Sequence, residues 1–560
     1  MAVLGQFLDS VIWLLVFAWH YPASSFHSKP RLSTVALDYG TFRGDIDDSS
    51  EIISFRGIRF ADPPLGSLRW QPPVSPPSAH LGTVDATKFG SACIATTQRG
   101  PGATTSEDCL FGNVYIPIDA DPASALPVLV FFHGGGFESG RSTKYPPEDL
   151  MESSSDPFIL ATFEYRLGQF GFLAGTAIKT NGALNVGLLD QKAALKWIQR
   201  YIHAFGGNPG DVTIFGQSAG AGSVVYHASD TGFPRLELIV QQLIGDGGTN
   251  DELFQQAIAD SPPFLSLLDY NDPFVEDLFS QFVKNADCGK RSNDPATVAC
   301  LRNASSEVLA SAGRQTLQNM TSSLYPFGPV FDGVFIQERP VSALMNENFV
   351  SVPVIFGSNS DEGANWSAKL SNPSANTSNP NASQMTVYNF LAGQYTQLTL
   401  ASFNVAVEEY YPISAYAGNF SRQGQQIYGE MRYICSALLV VGAINGGSGG
   451  DAAYEYHWEN PILGSTHGDE LVAFFNPPDP VDDLDDQLLT GMREYYTSFV
   501  TNGEPVSDSF SVEWLPTDSS ELEGSPRIFL HPGAVQMEAV DRDLSARCAF
   551  WYSIADELKI

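Results

Sequence analysis

The sequence predicts an α/β fold, in which a mostly parallel sheet is covered by helices on both faces. Apolar runs of strand length alternate with segments of helical periodicity, most clearly between residues 128 and 229. Glycine-rich or polar turns bound these runs. The 560 residues are 43% hydrophobic and 17% charged, a composition typical of a large folded protein with a sizeable core.

The predicted elements follow one another in the order that a parallel sheet requires. Residues 185–206 place apolar side chains at helical spacings and end in a glycine, and the small and apolar segment 219–229 is predicted to be a buried helix. The strand segments are rich in β-branched and aromatic residues, as buried strands are. They are "VLVFF" at 128–132, "FILATFEYR" at 158–166, "VTIFG" at 212–216, the start of "VPVIFGSNSDEG" at 352–363, and "AAYEYHWE" at 452–459.

Residues 1–25 have the features of a signal peptide, and residues 26–560 are predicted to form one domain. The apolar segment Val11–Trp19 is too short to span a bilayer but suits the hydrophobic region of a signal. Small residues at 23–25 supply a cleavage site. The segment before Val11 contains no Lys or Arg, which is unusual for a signal, and a buried N-terminal segment is the alternative. Because the length of the apolar segment fits a signal peptide, we expect a secreted protein.

Two further patterns fit an oxidising extracellular compartment. Six cysteines occur without a C-x-x-C pair, which favours disulfides over a metal or redox site. Local pairing would join Cys93 to Cys109 and Cys288 to Cys300, which leaves Cys435 and Cys548. Six N-x-S/T sequons predict glycosylation. These sequons begin at Asn303, Asn319, Asn365, Asn376, Asn381 and Asn419.

The charge of the chain excludes two classes of partner. A formal net charge of -33 repels phosphate backbones and anionic lipid headgroups. We expect no nucleic-acid partner and no stable membrane insertion. The acidic segment 477–487, "PPDPVDDLDDQ", is expected to be a solvated loop.

A serine lies between the predicted strand at 212–216 and the small-residue helix that follows. Residues 216–220, "GQSAG", fit G-x-S-x-G, a turn that projects the hydroxyl of Ser218 above the sheet. The pentapeptide alone also fits a plain Gly/Ser turn, but its strand and helix context favours a nucleophile. "HGGGF" at 133–137 follows another strand and offers backbone N–H groups to an oxyanion, with Ala219 N–H as a further donor.

A serine nucleophile needs a histidine to take its proton and a carboxylate to orient that histidine. In the chain order serine, acid, histidine, the candidates are Glu362 in "GSNSDEG" and His467 in "GSTHGDEL". The rivals are Asp361 for the acid, and His457 and His531 for the base.

These motifs resemble the type-B carboxylesterases, the lipase and cholinesterase family of the α/β-hydrolase fold, over nearly the whole mature chain. The resemblance implies the roles of the motif residues. The matching segments are "FRGIRFADPPLGSLRWQPP", "SEDCLFGNVYIP", "FFHGGGFESG", "NVGLLDQKAALKWIQRYIHAFGGNPGDVTIFGQSAGAGSV", "GSNSDEG" and "THGDEL". The implied site comprises the nucleophile Ser218, the acid Glu362, the general base His467, and the oxyanion donors Gly135, Gly136 and Ala219.

The resemblance also implies the first two disulfides named above and two internal ion pairs. The ion pairs would join Arg69 to Glu107 and Arg166 to Asp190. Two positions depart from the family pattern: Gln217 stands where many members have glutamate, and Glu164 begins "EYR" where "NYR" is usual. Phe137, Phe327 and Trp366 are candidate aromatic residues of the substrate gorge.

The reaction that the resemblance implies is hydrolysis of a small-molecule carboxylic ester through an acyl-enzyme, with no metal or organic cofactor. Residues 94–108, between Cys93 and Cys109, contain almost nothing apolar, so this loop is a poor lipid-binding lid and soluble esters are favoured. The alternatives are a lipase acting on long-chain acylglycerols and a binding or adhesion protein on the same fold.

Overall fold

The computed structural model describes residues 31–228, 253–289, 295–446, 452–478, 482–517 and 521–560, so the predicted signal peptide lies outside the described residues. The strands in chain order are β1 (Thr34–Leu37), β2 (Gly40–Arg43), β3 (Asp45–Asp47), β4 (Ile52–Arg59), β5 (Thr83–Asp85), β6 (Ala92–Cys93), β7 (Thr105–Ser106), β8 (Phe111–Pro117), β9 (Leu126–Phe132), β10 (Ile159–Phe163), β11 (Gly207–Gln217), β12 (Gln256–Asp260), β13 (Val354–Asn359), β14 (Ala453–Trp458), β15 (Pro526–Leu530) and β16 (Gln536–Ala539).

An eleven-stranded mixed sheet forms the centre of the molecule. Its order is β16-β15-β14-β13-β12-β11-β9-β10-β8-β4-β3. The strands from β15 to β10 are parallel, and antiparallel pairs complete both edges. The predicted mostly parallel sheet of an α/β-hydrolase fold is confirmed.

Helices cover the sheet on both faces and also form insertions between strands. The α-helices span Glu148–Glu152, Gly168–Gly171, Thr176–Asn181, Val186–Tyr201, Ala219–Ala228, Pro273–Asn285, Pro295–Asn303, Ser306–Asn319, Pro340–Met345, Gln384–Gln394, Leu400–Val405, Phe420–Gly429, Cys435–Gly446, Asp483–Asn502, Arg542–Ser553 and Ala555–Leu558. Two π-helical turns span Ala406–Tyr410 and Glu430–Ile434. Short 3-10 turns span Gly66–Leu68, Ser142–Lys144, Ile202–Phe205, Ser367–Lys369, Ile413–Tyr416 and Asp469–Ala473.

Strand β9 shows why the predicted strands are apolar without alternation. Val128 and Val130 lie in the core that includes residues of helix Val186–Tyr201. Leu129 and Phe131 lie in a second core, which includes residues of helix Asp483–Asn502. Because successive side chains of a strand point to opposite faces, a central strand covered on both faces is apolar at every position.

The acidic segment 477–487 is not wholly a loop, so that prediction is wrong for its second half. Helix Asp483–Asn502 begins inside it, and the Asp482 side chain accepts hydrogen bonds from the first-turn amides of Leu484 and Asp485. Acidic residues stabilise the N-terminal turn of a helix by capping its free amides and by interacting with the helix dipole. Asp485 is buried and accepts a hydrogen bond from Asn460.

One helical run, Phe420–Gly446, is long and apolar enough to cross a bilayer, but 78% of its most apolar window is buried inside the protein, as in a core helix.

Three disulfides join Cys93 to Cys109, Cys288 to Cys300 and Cys435 to Cys548. Five of the six sequon asparagines are exposed, and Asn376 is half-buried.

Candidate active site

Ser218 occupies a tight turn between strand β11 and helix Ala219–Ala228. Its backbone has a φ of 57°, in the left-handed region, which is strained for a side-chain-bearing residue. A Cβ on Gly216 would lie 2.3 Å from the Gly220 backbone, and a Cβ on Gly220 would lie 2.0 Å from the Phe132 carbonyl oxygen. Only glycine therefore fits on each side of Gln217-Ser218-Ala219.

A continuous hydrogen-bonded path connects Ser218, His467 and Glu362. The Ser218 hydroxyl lies 2.7 Å from His467 Nε2, and His467 Nδ1 lies 2.6 Å from Glu362 Oε2. The serine follows β11, the glutamate follows β13, and the histidine lies in the loop after β14. Parallel strands bring these three loops to one edge of the sheet.

The second oxygen of Glu362 is also fully engaged. Glu362 Oε1 accepts hydrogen bonds from the Ser261 hydroxyl at 2.5 Å and from the Asn359 amide at 2.8 Å. Ser261 directly follows β12, is completely buried, and has a φ of 53°. Sequence reasoning missed Ser261, because nothing in "ADSPPF" marks a partner 101 residues away.

The rival acid and bases lie elsewhere. Asp361 is exposed. His457 bonds to Ser360, which follows β13, and to Glu538 in β16. His531 bonds to the carbonyl of Pro532 and its ring packs on Phe529. The structure brings none of the three into the path.

The glycine loop after β9 approaches the same turn. Gly135 and Gly136 have φ values of 118° and 65°, and a Cβ on Gly136 would lie 2.3 Å from the ring of Tyr325. Neither glycine amide donates a backbone hydrogen bond to another described residue. Ala219 is the first residue of its helix, where amides have no partner within the helix. All three N–H groups are thus free to bind an anion.

A second carboxylate–histidine pair lies behind this loop. Glu164 Oε2 and His133 Nε2 are 3.8 Å apart, both are buried, and neither has a hydrogen-bond partner. Burial raises the pKa of Glu164 to about 7 and lowers the pKa of His133 to about 4. Ser142 donates to Glu164 Oε1 from both its amide and its hydroxyl. Glu164, at the position where the family pattern usually has asparagine, is therefore a buried carboxyl group that is about half protonated at pH 7.

Aromatic rings form the wall beside His467. The Tyr433 ring lies 4.2 Å from the imidazole, and the Trp366 ring lies 5.4 Å from it. The Trp366 indole also donates a hydrogen bond to the Glu362 carbonyl. Trp366 was expected near the site, whereas Tyr433 was missed because it lies inside an apolar helical run.

Two other expected gorge residues are core residues in this structure. Phe137 is buried against Phe172 and Tyr226, and Phe327 is buried against Phe282. Aromatic residues more often fill a core than line a site, and a motif neighbour such as Phe137 carries no signal that separates the two.

A layer of acids lies beneath the triad residues. Asp260 is fully buried, accepts a hydrogen bond from Tyr496 at 2.7 Å, and has its other oxygen unpaired. Burial raises its pKa to about 7. Burial likewise raises the pKa of Glu470 well above its ordinary value, and Asn359 donates to that carboxyl. The raised pKa values of both groups favour their neutral forms, which reduces the negative charge near Glu362.

The two ion pairs implied by the resemblance are present and buried. Arg69 makes two hydrogen bonds to Glu107, at 2.5 and 2.7 Å. The Arg166 guanidinium makes two to Asp190, both at 2.7 Å, and the Arg166 amide makes a third at 3.0 Å. Removal of one partner would leave a buried charge and cost about 3–5 kcal/mol.

Comparisons with known proteins identify the family of this chain. The carboxylesterase family matches residues 31–551. A secreted triacylglycerol lipase of Gibberella zeae is 29% identical over 84% of this chain and 82% of its own. Lipase 1 of Geotrichum candidum is 33% identical, over 58% of this chain and 61% of its own. The crystal structure of Aspergillus niger EstA superposes with a TM-score of 0.80 at 28% identity, over 94% of this chain and 99% of that one.

Proposed function

This chain belongs to the carboxylesterase family, a family of carboxylic ester hydrolases, and on that premise we propose that it cleaves esters through an acyl-enzyme on Ser218, with His467 as general base and Glu362 as the orienting acid. The observation that supports the proposal is the path of 2.7 and 2.6 Å hydrogen bonds through the imidazole. Nucleophile, base and orienting group within hydrogen-bond reach are the geometric signature of this chemistry.

The proposed reaction begins with proton transfer. Glu362 accepts the Nδ1–H of His467, which leaves the Nε2 lone pair facing the Ser218 hydroxyl. As the serine oxygen bonds to the ester carbonyl carbon, its proton moves to Nε2. The resulting oxyanion accepts hydrogen bonds from the N–H groups of Gly135, Gly136 and Ala219.

Collapse of this intermediate breaks the bond to the alcohol oxygen, which takes the proton from Nε2 and departs. A water molecule then gives a proton to Nε2 and attacks the acyl carbon. The second collapse returns that proton to the serine oxygen and releases the carboxylic acid. Besides the ester and one water molecule, the steps use the side chains of Ser218, His467 and Glu362 and the three oxyanion-binding amides.

We propose soluble esters as substrates because of the loop closed by Cys93 and Cys109. Its large apolar side chain, Ile94, is 1% exposed, so the loop has no apolar face for a lipid surface. The loop is also held to the body of the protein: the Thr96 amide bonds to the Glu138 carbonyl, and Arg314 bonds to the Thr97 carbonyl. A loop tied at these points is a poor candidate for a lid.

A lipase is the second candidate, and the observation that favours it is the set of relatives. Two of the relatives described above, from Gibberella zeae and Geotrichum candidum, are named as lipases. The two candidates share the triad chemistry and differ in whether activity rises at a lipid–water interface.

We also propose that the protein is secreted and glycosylated. Its relatives include proteins named as secreted lipases, and all six cysteines form disulfides, which persist in oxidising compartments. The exposed sequon asparagines are accessible to glycan transfer. Digestion with an N-glycosidase should lower the apparent mass of the secreted protein, and an unchanged mass would contradict glycosylation.

The test of function is hydrolysis of p-nitrophenyl esters from acetate to palmitate by the secreted protein and by Ser218→Ala. Short-chain activity that is lost in the variant would support the soluble-ester proposal. Activity that peaks at long chains and jumps above the solubility limit would favour the lipase. If no ester gave Ser218-dependent turnover, the proposed hydrolysis of simple esters would be wrong.

A further inference from the structure

A buried arginine lies close to the triad and has no counter-ion among the described residues. Arg432 is 6% exposed and lies in the π-helical turn Glu430–Ile434. No carboxylate of the described residues pairs with it, and its Nε has no hydrogen-bond partner. Its guanidinium carbon lies 5.6 Å from the ring centroid of Tyr428 and 5.8 Å from that of Tyr433. Aromatic faces stabilise a cation but do not neutralise its charge.

Acidic residues nearby are engaged elsewhere. The carboxylate of Glu430, two residues before Arg432, makes two hydrogen bonds to Arg547, at 2.7 and 3.0 Å, and a third to Tyr411. Glu138 accepts from the Phe327 amide, and burial raises the pKa of Glu138 to about 8, so it is mostly protonated at neutral pH. The charge of Arg432 therefore stays unbalanced, which is costly for a buried group.

Arg432 lines a cavity of about 80 Å³ that contains a second unpaired polar group. The Thr396 hydroxyl also lines it and has no hydrogen-bond partner. Gln394, another lining residue, is satisfied by the Ser322 carbonyl and the Leu324 amide. The cavity is thus lined by a guanidinium whose Nε has no hydrogen-bond partner and by a hydroxyl that has none, among apolar residues such as Phe274.

The same cavity shares its walls with the active site. Tyr325 lines it, and the ring of Tyr325 fills the space that a Cβ on Gly136 would need. Tyr433, the neighbour of Arg432, packs on His467 at 4.2 Å. One layer of side chains therefore separates the cavity from the oxyanion loop and from the imidazole.

We propose that this cavity is a binding site for a carboxylate group. A planar guanidinium pairs with a carboxylate through two parallel hydrogen bonds, and the Thr396 hydroxyl supplies a further donor. The inference rests on the proposed ester hydrolysis only for the source of the ligand. That source is either the acid released at each turnover or an ester whose acyl group carries a second carboxylate.

Binding is tested without catalysis, by thermal unfolding of the full glycosylated chain in sodium propanoate. Propanamide serves as the uncharged isostere and sodium chloride as the ionic-strength control. We expect propanoate to raise the Tm of the wild type by about 2 °C at concentrations far above Kd, and the two controls to leave it unchanged. The rise should disappear in Arg432→Gln.

Thr396→Val is the second variant, because the Thr396 hydroxyl makes no bond that the fold would lose. We expect it to fold like the wild type and to weaken propanoate binding about tenfold, as loss of one hydrogen bond to a charged group does. No rise in the wild type beyond the chloride control, or an equal rise in wild type and both variants, would overturn the proposal.

Kinetics distinguish the two sources. If the ligand is the acid product, propanoate inhibits hydrolysis of p-nitrophenyl butanoate in the wild type and less so in Thr396→Val. If it is an acidic substrate, p-nitrophenyl hydrogen glutarate has a KM about tenfold below that of the pentanoate, and Arg432→Gln removes the difference. Binding with neither kinetic effect would overturn the link to catalysis. Binding without Ser218-dependent turnover would instead refute the proposed hydrolysis and leave the site standing.

Discussion

Among the described residues, two largely buried carboxylate–histidine pairs lie near the proposed nucleophile, and they differ in the distance between carboxylate and imidazole. Glu362 lies 2.6 Å from His467, and its other oxygen accepts two hydrogen bonds. Glu164 lies 3.8 Å from His133, and the facing atoms of both side chains have no partner. Burial is common to both pairs, so burial alone does not make a catalytic dyad. Both carboxylates accept two hydrogen bonds on the oxygen that faces away from the imidazole, so the first pair is distinguished by the hydrogen bond between carboxylate and imidazole, which orients the ring.

The largest expected effect comes from replacing the histidine of each pair. His467→Ala removes the proposed general base, and we expect kcat/KM to fall by about 10⁴–10⁶. His133→Phe keeps the ring that stacks on Tyr165 at 4.5 Å, and we expect a loss below about 10². Ester hydrolysis by the two variants is the measurement. Comparable losses in both would show that the pairs do not differ as described.

The next effect concerns the serine hydroxyl that donates to the outer oxygen of the Glu362 carboxylate, as the Ser142 hydroxyl does to Glu164. Ser261→Ala removes the hydroxyl bonded to Glu362 Oε1, and we expect kcat to fall about tenfold, which corresponds to one hydrogen bond to a charged group. KM should not change, because Ser261 is completely buried. Ser261→Gly is the matched control, since glycine adopts the φ of 53° without strain. A larger loss in the alanine variant would assign part of it to the backbone.

The second pair should affect how the free energy of unfolding depends on pH. Because the pKa of Glu164 is raised to about 7, the native state keeps a proton that the unfolded chain loses above 4.5, so this group makes stability fall as pH rises from 4.5 to 7. His133 acts oppositely: its pKa is lowered to about 4, so stability rises with pH from 4 to 6.5. Between pH 4.5 and 6.5 the two slopes cancel.

Glu164→Gln should reveal the pH dependence of the free energy of unfolding that His133 causes. The glutamine keeps the acceptor for Ser142 and does not titrate. Relative to the wild type, we expect its free energy of unfolding to fall by up to about 1.4 kcal/mol per pH unit on acidification from 6.5 to 4.5. Denaturant titrations at pH 4.5, 5.5 and 6.5 measure this difference. A pH-independent difference would mean that the two groups do not titrate as a pair.

The smallest expected effect tests how a nearby charge affects the histidine of the first pair. A Cβ on Gly468, next to His467, would lie 3.3 Å from Gln217 Nε2, so this side chain is close to the triad. Gln217→Glu adds a negative charge that favours the imidazolium, and we expect the acidic limb of the pH–rate profile to move to higher pH by less than about one unit. Gln217→Leu, which adds no charge, is the control. A profile identical to that of the wild type would refute this electrostatic effect.

The fold and much of the site could be predicted from the sequence because each has a local signature. The strand at 128–132 is apolar at every position, and the glycines around Ser218 mark a turn in which other residues do not fit. Ser261, Tyr325, Tyr433 and Arg432 have no such signature. Their roles come from contacts with residues far away in the chain, and neither spacing nor periodicity specifies those contacts. The helix that begins at Asp483 is not predicted for a different reason. The density of acidic residues at 477–487 favours a solvated loop, although the same acidic residues also fit the capped first turn of a helix.

The π-helical turn Glu430–Ile434 has a consequence for the phase of the helical run that contains it. The Cys435 amide bonds to the Glu430 carbonyl, five residues back, so this turn holds one residue more than a standard α-helical turn. One extra residue rotates everything downstream by about 100° around the axis. Deletion of a single residue here would restore the regular phase and turn the tyrosine away from the imidazole or the arginine away from its cavity. The present directions of the Tyr433 ring, toward His467, and of the Arg432 side chain, toward its cavity, therefore depend on this one-residue offset.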